Sequence, residues 1–261
     1  MDVAFAPPHV GFFVAAASLD GSTRIYECNQ ASDASGNWSL NRSIDSHPAR
    51  ENLSVHWTDS PYLATLLAIA VHSTVEVYHF VLEKNTFVPY VRMDLRHGQI
   101  WCARWAPNVG RSYHLLATLC HDGYLCIWRI FDANTKSNVG PETLGVGEAC
   151  ATNAVLAGFR ASLEAPLTGA AVEGSGAGDT GAQYQLVYEF QITKYQNHLR
   201  CAWNSMGTQI LTTCGDGCVF EHSLDNSNRW VTIFLGNLFD DAHSTHFPLI
   251  PYTQQQLQQQ H

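Results

Sequence analysis

Four polar side chains near the middle of the chain have the types and order that could do chemistry: His97, Thr118, Asp122 and Trp128. A histidine paired with an aspartate can shuttle a proton, but an enzyme site needs a nucleophile or a metal beside the pair. Their spacing offers a simpler use. Thr118 lies four residues before Asp122 and Trp128 six after it, so a hairpin turning at Asp122-Gly123 brings hydroxyl, carboxylate and indole to neighbouring strands. In the repeat pattern that such strands follow, these four types join in one hydrogen-bonded set, a structural brace in which Asp122 accepts from the His97 ring, the ring meets the Thr118 hydroxyl and that hydroxyl meets the Trp128 N–H.

Eight cysteines and thirteen histidines invite metal and disulfide hypotheses. No Cys-x-x-Cys pair exists, the histidines lack zinc spacing, and no cofactor is expected. If the turns near Cys120 and Cys214 are two-residue hairpins, Cys120 faces Leu125 and Cys214 faces Val219, so the thiols serve as small apolar core residues. The formal charge of −9, with no Lys/Arg cluster, disfavours direct nucleic-acid binding. The longest apolar run, Leu66 to Val71, is far short of the ~20 residues of a transmembrane helix. Gly11 to Ser18 imitates a signal-peptide core, yet Asp2 stands where a basic leader belongs, and a buried strand is expected.

The elements that must hold these side chains recur. Phe5, Trp57, Trp105 and Trp203 each close a short apolar strand. Asp20-Gly21, Asp122-Gly123 and Asp216-Gly217 mark hairpins in three units, and His72-Ser73 takes that place in the second. A third strand follows each turn, and a fourth is available at Trp38 to Ile44, Phe87 to Leu95, Gln185 to Ile192 and Trp230 to Leu235. Four short strands recurring at roughly 45–50 residues match the period of a WD-type β-propeller blade. The expected fold is all-β: a partial, open propeller of about four blades, at about 1–46, 50–96, 97–192 and 197–235. The last unit keeps His198, Thr212 and Asp216 but has His222 in the indole position, and the first has Ala16 and Tyr26. Residues 132–183, rich in Gly, Ala, Ser and Thr, are expected to form a flexible insertion in the third blade, and the Gln-rich 236–261 a disordered tail.

Ala106 to Ala117, with its Asn-Val-Gly-Arg-Ser run, resembles the signature loop of the Seh-one nucleoporins, WD-repeat relatives of the Sec-thirteen coat protein. The opening Asp2 to Gly11 with Arg24 to Glu27, and Cys201 to Asn204 with Gly215 to Val219, resemble other blades of the same family. Members have six blades, and this chain starts inside what resembles their third, so the expectation is a late-starting gene model or the loss of two blades. An unclosed stack of this kind is expected to be poorly stable and prone to aggregate.

The resemblance implies a non-enzymatic scaffold subunit of the nuclear pore's Y-shaped outer ring. A helical scaffold nucleoporin would donate a β-blade to it, supporting transport of protein and mRNA, and other outer-ring nucleoporins would be neighbours. It also implies a role in a vacuolar or lysosomal coat-like complex of the TOR pathway. The donated blade would sit beside the last unit, with Val219, Phe220, Trp230 and Ile233 as candidate contacts, although ordinary blade core explains each equally. Competing readings are a Sec-thirteen-like vesicle-coat subunit and a WD-repeat adaptor of a ubiquitin ligase or kinase.

Overall fold

The computed structural model describes residues 2–29, 37–45, 52–60, 62–132, 182–192, 199–215, 217–226 and 229–237. The expected insertion and tail fall almost wholly outside these residues. Four antiparallel four-stranded sheets follow one another along the chain. The first holds β1 (Asp2–Phe5), β2 (Phe13–Ala17), β3 (Ser22–Asn29) and β4 (Asn37–Asp45). The second holds β5 (Asn52–Trp57), β6 (Leu66–Val71), β7 (Thr74–Val81) and β8 (Thr86–Asp94), with one 3-10 turn at Leu82–Lys84. The third holds β9 (Ile100–Trp105), β10 (His114–Cys120), β11 (Tyr124–Asp132) and β12 (Ala182–Gln191). The fourth holds β13 (Arg200–Trp203), β14 (Gln209–Thr213), β15 (Cys218–Leu224) and β16 (Trp230–Asn237). Each first strand ends on the aromatic that marks its repeat. The architecture is an open partial β-propeller of four blades.

Position in the stack decides residue type. β6 and β10 lie in the middle blades and are buried at every position, so their apolar runs need no polar alternation. The outer β4 is exposed at seven of its nine positions, and its Asn, Ser and Arg residues face water. Three apolar clusters fill the spaces between successive blades. In the first, Phe80 packs on Phe13 at 5.3 Å and on Phe87 at 4.8 Å between ring centroids, with Trp57 beside them. Each such ring contributes about 1.5–3 kcal/mol by leaving water.

The central hairpins correct the expected register by one residue. Gly21, Gly123 and Gly217 donate back to Ser18, Cys120 and Cys214, and all three adopt φ of 84–87°. These are three-residue loops with a left-handed glycine, not two-residue turns. Leu119 therefore pairs with Leu125 and Thr213 with Val219, and Cys214 bonds through its backbone to Cys218. Only the second blade turns in two residues: Val71 pairs with Thr74, and His72 takes the left-handed conformation at φ 54°.

First strands carry an unusual burden, because one edge of each has no ladder partner within its own sheet. Side chains of neighbouring blades supply the missing bonds. Asp2 Oδ2 accepts from the Val55 N–H at 3.2 Å and from the Ser54 hydroxyl at 2.9 Å. Arg104 donates to Asp2 Oδ2 at 2.7 Å and to Ser54 at 2.9 Å. Ser54 Oγ accepts from the Ala103 N–H at 3.1 Å, and His56 Nδ1 accepts from the Trp105 N–H at 3.1 Å. The Trp105 indole donates to the His56 carbonyl at 3.1 Å, and Trp203 repeats the device on the Arg104 carbonyl at 3.0 Å. One polar seam thus joins all four blades at their inner edge. Burial pushes the Asp2 carboxyl up, but bonds from Arg104, Ser54 and Val55 outweigh it and hold the group below its usual range.

Replacing Asp2 with Ala is expected to cost about 2–3 kcal/mol in denaturant unfolding, since a charge-assisted bond is lost and Arg104, Ser54 and Val55 lose an acceptor. Arg104→Met is expected to cost a similar amount, and the double variant less than the sum of the two. A loss below about 0.5 kcal/mol for either, the scale of an ordinary surface change, would show that the seam is incidental.

Candidate interaction surface

The third blade brings the four brace residues together in two pairs rather than one chain. His97 Nδ1 meets Asp122 Oδ2 at 2.8 Å, and the Trp128 indole donates to Thr118 Oγ1 at 2.9 Å. The expected His97–Thr118 link is absent. Glu189, on β12 opposite Cys126, takes the other ring nitrogen of His97 at 2.5 Å, and the Thr118 hydroxyl turns toward the Cys126 carbonyl at 3.5 Å. His97 also stacks on Tyr124 at 4.1 Å. With Glu189 and then Asp122 bonded to it, its pKa rises to about 9, against the effect of burial. The ring is therefore a cation clamped by two carboxylates at neutral pH.

His97, Cys126 and Glu189 also place candidate ligand atoms within 4.8 Å of one another. The hydrogen bond to Cys120 and burial hold the proton on the Cys126 thiol, and the two ring nitrogens of His97 are already bonded. A second thiol pair bridges the third and fourth blades, with Cys102 and Cys201 Sγ atoms 3.8 Å apart.

The fourth blade rebuilds the same device with different groups. His198 and Asp216 lie outside the described residues, but Thr212 and His222 meet at 2.9 Å, the distance of the Thr118–Trp128 bond. The other ring nitrogen of His222 meets Thr232 at 2.8 Å, and Thr232 meets the Tyr188 hydroxyl at 2.5 Å. Because Tyr188 belongs to β12, this network ties the outer strand of the third blade to the fourth. Burial drives the His222 pKa down to about 3. Asp20 of the first blade caps its own hairpin instead, accepting from the Ser22 N–H at 2.9 Å and hydroxyl at 2.6 Å and from Arg24 at 2.7 Å.

The Asn-Val-Gly-Arg-Ser loop is a second joint between these blades. Asn108 holds the loop by accepting from the Arg111 N–H and donating to the Tyr113 carbonyl, both at 3.0 Å. Arg111 then spans to the Gly207 carbonyl at 3.0 Å. Gly207 has φ 64°, and a Cβ there would collide with the Pro107 carbonyl and the Arg111 guanidinium. The β13–β14 turn needs glycine for both reasons.

The four candidate contacts of the last blade divide between its two faces. Phe220 is buried, and Trp230 packs against Tyr188 in a tilted and Trp203 in an edge-on arrangement, with ring centroids 5.6 and 6.1 Å apart, so both look back toward the third blade. Val219 and Ile233 occupy the opposite face, the one turned away from the stack: Ile233 pairs with Glu221, and Val219 alternates with inward-facing Phe220. At the other end, the first blade exposes Phe5 (71%), Val3 (60%), Phe12 (58%), Leu40 (54%) and Trp38 (47%) on one face. This aromatic face carries no signal in any single residue. It becomes visible only when the repeat register puts Phe5 in the column of Trp57, Trp105 and Trp203.

Stability is expected to fall on both sides of neutrality. His222, and His56 and His114 with values near 4, have folded pKa values below the ~6.5 of an exposed histidine. Their contribution is present above about pH 6.5 and is lost as the pH drops toward 3–4. His97 has the opposite sign: its contribution is full below about pH 6.5 and is lost as the pH rises through about 9. Melting curves from pH 4 to 10 should show both limbs, with Glu189→Gln flattening the alkaline one and His222→Gln shallowing the acid one. Unchanged limbs in both variants would contradict these assignments.

No family model matches the chain. Nucleoporin Seh1 of Drosophila melanogaster is 24% identical over 88% of this chain and 53% of its own length. The Schizosaccharomyces pombe protein of that name is 27% identical over 84% and 59%, and the Homo sapiens one 26% identical over 88% and 54%. The chain spans between half and three-fifths of the length of these three relatives. Among solved structures, a chain of the Chaetomium thermophilum Polycomb Repressive Complex 2 bound to GSK126 superposes with a TM-score of 0.53 at 18% identity, covering 86% of this chain and 39% of that one. At that identity the likeness concerns the fold alone. The sequence matches go further: the chain is a WD-type partial propeller with homologues named nucleoporin Seh1 in animals and fungi.

Proposed function

We propose that the chain is a non-enzymatic scaffold subunit of the nuclear pore, within its Y-shaped outer ring. The observation that carries this reading is a match to nucleoporin Seh1 proteins that covers 84–88% of the chain. The polar groups support it. The His–Asp pair is clamped by a second carboxylate, the Thr–Trp pair is partly and the Thr–His pair fully buried, and the loop arginine is spent on two carbonyls. The first three brace single blades from within and the arginine joins the third blade to the fourth, which suits a protein whose task is to present sheet surfaces.

In this reading a helical scaffold nucleoporin supplies strands that continue the propeller, using backbone bonds and buried apolar faces. Val219 and Ile233 belong to the face available beside the last blade, while Phe220 and Trp230 act from within the core. The subunit serves transport of protein and mRNA indirectly, by stabilising the ring, and a second pool belongs to the vacuolar or lysosomal coat-like complex of the TOR pathway.

Affinity purification of the tagged chain from its own cells, with imaging of the same tag, tests the assignment. Outer-ring nucleoporins and a continuous nuclear rim are expected. Vesicle-coat subunits with cytoplasmic puncta, or ligase subunits with no rim, would overturn it. Val219→Glu with Ile233→Glu is expected to reduce recovery of the helical partner at least tenfold while Asn108→Ala leaves it bound. Equal recovery from the double variant would remove those two residues from the interface.

A further inference from the structure

We infer that Cys102 is a modification site for hydroperoxides, and that Cys201 on the next blade resolves the oxidised sulfur into a disulfide joining the third and fourth blades. The pair depends on the joint between those two blades and not on membership of the nuclear pore.

The polar seam places the reactive sulfur. At each blade joint, the side chain three residues before one strand-closing aromatic accepts from the amide two residues before the next. Asp2 does this for Val55, and Ser54 for Ala103. At the third joint the acceptor is the Cys102 sulfur and the donor is the Cys201 N–H. Because position 201 is itself a cysteine, a second sulfur lies beside the first, with the Sγ atoms 3.8 Å apart. Closing to the ~2.05 Å of a disulfide takes a shift of about 1.8 Å, which two side chains on separate strands share.

A cysteine attacks a peroxide as its thiolate. Cys102 accepts a hydrogen bond from the Cys201 thiol, lies near the Arg104 guanidinium and accepts from the Cys201 N–H, and these hold its pKa down to about 7 against burial. Cys201 is the donor of the thiol bond, so it keeps its proton. The neighbouring thiol pair of the third blade has the opposite surroundings. Cys126 is bonded to Cys120 and buried, and its charged neighbours are Glu189 and Asp122 instead of an arginine, so it stays protonated. One blade thus carries a reactive thiol and an inert one. Cys102 is 2% exposed, so the oxidant must be small and uncharged, as hydrogen peroxide is. Oxidised glutathione is too bulky to bring a sulfur into line.

The Cys102 thiolate attacks one peroxide oxygen, the O–O bond breaks, and hydroxide leaves and takes up a proton as the sulfur becomes a sulfenic acid. The Cys201 sulfur then attacks the Cys102 sulfur, the S–O bond breaks, and the hydroxyl leaves with the thiol proton as water. Two thiols are oxidised to one disulfide, and one hydrogen peroxide is reduced to two waters. The product ties β9 to β13 at their inner edges, across 99 residues of sequence.

The test treats the tagged full chain, recovered from its own cells with its bound partners, with stoichiometric hydrogen peroxide, followed by alkylation and digestion without reductant. A linked Cys102–Cys201 peptide is expected, reversed by dithiothreitol and formed at least tenfold faster than any product at Cys120 or Cys126. In Cys201→Ser, dimedone should trap a sulfenic acid at Cys102, and in Cys102→Ser oxidation of Cys201 should fall at least tenfold. The unsubstituted chain decides the outcome even where a variant misfolds. Unfolding in urea before oxidation should abolish the preference for this pair. No linked peptide, equal oxidation of Cys126, or a preference that survives unfolding would each overturn the proposal.

Discussion

The structure depends on satisfying the free inner edges of β5 and β9. A first strand has its own sheet on one side and none on the other, so half of its N–H and C=O groups would face the axis unpaired. Side chains from the adjacent first strands take those groups: Asp2 for Val55, Ser54 for Ala103 and His56 for the Trp105 amide, with two indoles donating to the His56 and Arg104 carbonyls. These bonds fix the spacing of the blades, and the apolar clusters fill the wedges that this spacing leaves. Neither would suffice alone. Apolar packing sets no register, and isolated hydrogen bonds at a wet edge would be worth little.

The His–Asp pair is braced apart from the seam. His97 and Asp122 lie at a strand turn, away from that edge, and their partners hold them there. Glu189 makes the arrangement a charge sandwich that braces β12 against the hairpin, and Tyr188, one residue earlier on the same strand, bridges into the fourth blade. β12 therefore links the brace of its own blade to the network of the next, even though 49 residues (133–181) separate it from β11 in the chain.

Much of this was legible before any coordinates. Strand-closing aromatics, Asp-Gly turns and apolar runs specify the blades because each rests on local chemistry: a left-handed glycine, a buried strand, an alternating one. What stayed hidden was of two kinds. Hairpin length differs by one residue between a two-residue and a three-residue loop, and the same Asp-Gly suits both, so Cys214 meets Cys218 where Val219 was expected. The other kind is distance in sequence. Asp2 and Arg104 are 102 residues apart, and Glu189 reaches His97 across 92. One signal was available for the seam: Arg104 is the sole charge in Ile-Trp-Cys-Ala-Arg-Trp, a strand otherwise built to be buried, and such a charge requires a partner.

Residue-resolved amide hydrogen exchange on the intact chain probes the edge-sealing bonds most directly. The Val55, Ala103 and Trp105 amides point away from their own sheets, and the account predicts that they exchange as slowly as ladder amides of β6 and β10. Exchange at the rate of an open strand edge would contradict it, and the blades would then be held by apolar contact alone.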